Sequence, residues 1–69
     1  MTTYWIIVIT NGHEGHVEVT SNGALARQRT QTDPSVTQLR RLEVEDDILP
    51  DRMNLAQLIA CSDLVQSNH

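Results

Sequence analysis

The run Tyr4 to Thr10 reads YWIIVIT, with apolar groups at both odd and even positions. A half-exposed strand would alternate, so this pattern predicts a central strand covered on both faces. Asn11-Gly12-His13-Glu14-Gly15 supplies the Asn-Gly pair and second glycine of a hairpin turn. From His16 to Thr20 the chain alternates: Val17 and Val19 are assigned to a buried face, and His16, Glu18 and Thr20 to a wet one.

Ser21 is the expected N-cap of a helix through Ala24 to Arg29, in which Leu25 is the one large apolar residue and the docking is light. Asp33-Pro34 reads as a turn. The stretch Val36 to Glu45 is ambiguous. Val36, Leu39 and Leu42 suit a helix, with Asp33 as cap and Pro34 at its first position, whereas Leu42, Glu43, Val44 and Glu45 alternate like a strand. The strand is preferred, because a two-stranded hairpin needs a further strand or helix to persist in water. After Pro50, the residues Met53, Leu55, Leu58, Ile59 and Val65 recur at helical intervals, with Asp51 or Asn54 as cap. They predict a closing amphipathic helix over roughly residues 52–67, with Leu58 on its buried stripe. The order ββαβα implies one α+β domain over residues 1–69, with helices packed on one face of a small antiparallel sheet.

At 69 residues there is room for a single core and no second domain. That core is almost wholly aliphatic, since Phe is absent and the aromatics are Tyr4 and Trp5 alone. One cysteine, Cys61, cannot close an internal disulfide, and no signal-peptide pattern precedes the first strand. These features predict a cytoplasmic protein. The longest apolar run, Tyr4 to Ile9, is far short of the ~20 residues a membrane-crossing helix needs, so no membrane role is expected.

Charge changes the picture more than composition does. Up to Leu42 there are three acids against four arginines; from Glu43 onward there are six acids against Arg52 alone. Glu43, Glu45, Asp46, Asp47 and Asp51 place five carboxylates within nine residues, with no cation between them. If Val44 faces the core, Glu43 and Glu45 project together from the other side, about 6 to 7 Å apart, close to the spacing of successive phosphates. Such a surface suits a basic groove made for DNA. The plainer reading is a solvated strand end whose acids favour the start of the last helix.

Other candidate chemistry is weaker. His13-Glu14-Gly15-His16 is not the HExxH zinc motif, and His69 and Cys61 would have to come from the far end of the chain to complete a site. A solvated turn without metal or cofactor is therefore expected. Cys61 falls within the apolar periodicity of the last helix and is read as a small buried hydrophobe. No nucleophile elbow, P-loop or dinucleotide fingerprint is present, so no catalytic residue is assigned and an enzyme is not expected. Arg27, Arg29, Arg40 and Arg41 form a basic group, but on a strand Arg40 and Arg41 point to opposite faces and no exposed aromatics accompany them. Direct nucleic-acid binding is accordingly not expected.

Taken together, YWIIVIT, the glycine-bearing turn, VEVTS, ALARQR and VTQLRRLEVE resemble the ββαβ organisation of small phage-encoded anti-CRISPR proteins, over about the first two thirds of the chain. The resemblance implies an inhibitor, cytoplasmic in a bacterial host, that binds a nucleoprotein effector such as a CRISPR complex. On that reading Glu43, Glu45, Asp46, Asp47 and Asp51 occupy the effector's basic DNA-binding surface in place of phosphates. The alternative is a self-associating structural or regulatory module, a homodimer through a strand edge or the final helix.

Overall fold

A computed structural model describes residues 1–68. Four strands, β1 (Thr2–Asn11), β2 (Glu14–Thr20), β3 (Val36–Val44) and β4 (Asp63–Ser67), form one antiparallel sheet in the order β2-β1-β3-β4. Two helices, α1 (Gly23–Thr32) and α2 (Leu55–Cys61), pack against it, and a 3-10 turn spans Pro50–Arg52. The α+β class and its antiparallel sheet are those expected, and the ambiguous segment from Val36 is a strand.

The apolar character of both faces of β1 has a direct structural counterpart. Ile6 and Ile7, adjacent in sequence, are 0% and 2% exposed, which requires cover on both sides of the sheet. Ile7, Ile9, Val36 and Leu39 pack with Ala26 of α1, and Trp5 joins them. Ile6, Leu42 and Val44 pack with Leu58 of α2, flanked by Tyr4, Val8, Val17 and Met53. The helices thus lie on opposite faces, not on one.

Several local expectations are corrected. The turn between β1 and β2 is only Gly12-His13. Gly12 has φ +66° and His13 is not left-handed, the pattern of a type II′ turn, whose twist matches that of the flanking strands. Asn22, not Ser21, caps α1: its side chain accepts the Leu25 N–H at 3.1 Å. Leu25 is half exposed, and α1 docks instead through Ala26 and Thr30. The buried Thr30 hydroxyl donates to the Arg27 carbonyl at 2.7 Å. On β2, Val17 is half-buried and Val19 is exposed, because β2 is an edge strand that neither helix overlies.

The largest correction concerns the last helix. Asn54 caps α2 in a full capping box with Gln57, but the helix ends at Cys61 and residues Asp63–Ser67 extend as β4 beside β3. Two features stop it. Ser62 leaves the helix with φ −105° and ψ 156°. The Arg40 guanidinium then takes the freed carbonyls of Ile59 and Ser62, at 3.1 and 2.8 Å, and donates to the Ser62 hydroxyl at 2.7 Å. Cys61 is exposed rather than buried.

Candidate functional site

The acidic residues fall where the sheet ends. Val44 is buried at the last position of β3, so Glu43 projects from the opposite face and is exposed. Glu45 is already beyond the strand. Its carbonyl accepts the Ile48 N–H at 2.9 Å, closing a turn with Asp46 and Asp47 at its two central positions. The expectation that Glu43 and Glu45 form two steps of one strand face is therefore corrected to a strand end followed by an acidic turn. Asp51 is exposed in the 3-10 turn that follows.

Not all five carboxylates are equally free. Glu43 is ion-paired with Arg41 on the same strand face. Asp46 accepts the Thr2 hydroxyl at 2.7 Å and lies 3.5 Å from the amino group of Met1, tying the turn to the start of β1. Among the described residues, Glu45, Asp47 and Asp51 have no ion partner.

Apart from Arg41, which pairs with Glu43, the arginines of the basic group do not offset this surface. Arg29 bridges Glu18 and Asp33, at 2.7 and 3.2 Å. Arg40 is committed to the end of α2, and Arg27 lies 5.4 Å from the centre of the Trp5 ring. Arg40 and Arg41 point to opposite faces, as their adjacency on a strand requires. The basic group read from the sequence is thus dispersed into internal contacts.

Sequence reasoning missed the apolar part of this region. Ile48 and Leu49 are 43% and 48% exposed, and they sit between Asp47 and Asp51. Beside them runs an open groove of about 450 Å³, lined by Tyr4, Val19, Thr20, Ser21, Leu49, Pro50 and Asp51. The available signal was the Ile-Leu pair set inside a run of carboxylates, where no core periodicity calls for it.

Among the described residues no three His, Cys, Asp or Glu side chains gather to hold a metal, and His69 lies outside them. No helix among them is long and apolar enough to cross a membrane. Comparison with protein family models, curated proteins and solved structures finds no match.

Proposed function

We propose that the chain is a binding protein, not an enzyme, whose acidic turn docks on the basic DNA-binding surface of a protein partner and occludes it. The observation that carries this reading is the pair Ile48 and Leu49, exposed between Asp47 and Asp51 in the run that also carries Glu43, Glu45 and Asp46. An apolar centre with a charged rim is how protein interfaces are built. The apolar groups are desolvated on contact, and the rim selects the partner by its sign of charge. Here the sign calls for a basic partner, and the chain's net charge of −4 opposes nucleic acid itself. The resemblance to anti-CRISPR proteins makes a CRISPR effector the partner of choice.

The test measures DNA binding by a panel of purified CRISPR effector complexes with and without the chain. The wild type lowers DNA binding by a susceptible effector, and less so as salt rises. Replacing Glu43, Glu45, Asp46 and Asp47 with their amides abolishes the effect, while circular dichroism shows the fold retained. Effectors that bind DNA equally well with and without the chain, or an amide variant that inhibits as well as the wild type, would refute the proposal.

A further inference from the structure

The sheet ends at β2, and the direction of that strand's free backbone groups follows from one hydrogen bond. Thr10 donates its N–H to the Ser35 carbonyl at 2.9 Å, toward the β3 side. Backbone groups alternate in direction along a strand, so Thr10, Val8 and Ile6 address β3, while Ile9 and Ile7 address β2. Their partners there, His16 and Glu18, point back at β1. Gly15, Val17 and Val19 therefore direct their N–H and C=O groups to the open edge.

We propose that a second copy of this chain fills that edge, β2 pairing with β2 in a twofold antiparallel arrangement centred on Val17. In this register Val17 meets its own counterpart and Gly15 meets Val19. These are the residues with outward backbone groups, so the hydrogen-bonding ladder is complete. The side chains agree. On the wet face His16 meets Glu18 of the second copy, twice by symmetry, at the non-hydrogen-bonded positions where side chains come closest. Glu18 binds Arg29 through Oε2, leaving Oε1 for the imidazole. Glu14 meets Thr20, so no carboxylate faces a carboxylate. On the other face the exposed Val19 lies against Gly15, which offers no side chain to obstruct it.

Charge and regularity choose this arrangement over the others. A parallel pairing in register would set Glu18 against Glu18. The other edge, β4, is short and carries a register shift against β3 between Leu39 and Arg40, the kind of irregularity that discourages strand addition. By contrast β2 pairs with β1 without interruption from Glu14 to Thr20. The acidic turn lies toward the Thr20 end, where Thr20, Ser21 and Asp51 share one groove. Antiparallel pairing sends the two acidic turns to opposite ends of the joined sheet. The dimer is inferred without reference to the docking surface at Ile48 and Leu49, although Val19 and Thr20 line the groove beside Leu49 as well as the seam.

Sedimentation equilibrium of the full chain, from micromolar to millimolar concentration, tests the proposal. The mass rises from 7.8 kDa toward twice that value. His16→Lys puts a fixed cation opposite Glu18 and tightens the dimer, and His16→Glu puts a carboxylate there and loosens it, each by about 2- to 30-fold over the two symmetric pairs. His16 is exposed, so both variants keep the monomer fold. Val17→Pro removes an outward N–H and abolishes the dimer. A wild type that stays at 7.8 kDa throughout, or a dimer whose dissociation constant neither His16 variant changes, overturns the proposal.

Discussion

Arg40 on β3 holds Ser62 at the end of α2 by two hydrogen bonds, from Nε to the hydroxyl at 2.7 Å and from Nη2 to the carbonyl at 2.8 Å. One planar guanidinium thereby fixes where the helix stops and the next strand starts. Arg40→Met should lower stability by about 2 kcal/mol, because the Ile59 and Ser62 carbonyls lose a charged donor. Arg40→Lys should recover only part of that loss, since an ammonium does not reproduce the fork. Urea unfolding of the three proteins provides the measurement; equal midpoints would show that the contact contributes nothing.

Gly23→Ala should destabilise the protein by about 1 to 3 kcal/mol, although alanine is the better helix former. A Cβ at this position would lie 2.7 Å from Nε1 of Trp5, so the indole or the helix has to move. Thermal unfolding gives the sign: a stabilised variant would mean that the ring moves aside freely.

Leu58→Asp should unfold the domain. Leu58 is 4% exposed against Ile6, Leu42 and Val44, and a carboxylate there has no partner. Its burial costs several kcal/mol, against a total of about 5 for so small a chain. The milder Leu58→Ala should cost about 2 to 5 kcal/mol and leave a measurable transition. A near-native melting temperature for Leu58→Asp would place the side chain in solvent.

The Asp33 carboxylate is held below its ordinary value of 3.8, chiefly by the Ser35 hydroxyl, then by the Ser35 N–H and by Arg29. A group whose folded pKa is depressed stabilises fully above its unfolded pKa, and that contribution disappears as pH falls through the folded value. Relative to Asp33→Asn, the wild type should therefore hold a constant advantage at about pH 5 to 7 and lose it below about pH 4. Melting temperatures across that range check the sign, and an advantage that does not change with pH would exclude this origin.

The elements that read clearly from the sequence are those whose periodicity admits one structure. YWIIVIT has no helical face and needs cover on both sides, which already placed the helices on opposite faces; assigning both to one face disregarded what Ile6 and Ile7 require together. Val65 shows the converse. It lies seven residues after Leu58, two helical turns on, so periodicity extends α2 through it. The residue that ends the helix, Arg40, comes from more than twenty positions upstream, and no local pattern at Ser62 announces it. Likewise the five carboxylates were visible as a run, but the turn at Asp46 and Asp47 and the exposure of Ile48 and Leu49 depend on where β3 leaves the sheet.

Tyr4 and Trp5 are consecutive on β1, and so the chain's only tyrosine and only tryptophan stand on opposite sides of the sheet, one in each half of the core. Each side thus carries its own intrinsic fluorophore without any label. Tryptophan emission follows the separation of α1, and tyrosine absorbance follows that of α2. Whether the two halves melt as one cooperative unit can be read in a single cuvette: coincident transitions mean two-state unfolding, and a gap between them means that one helix leaves first.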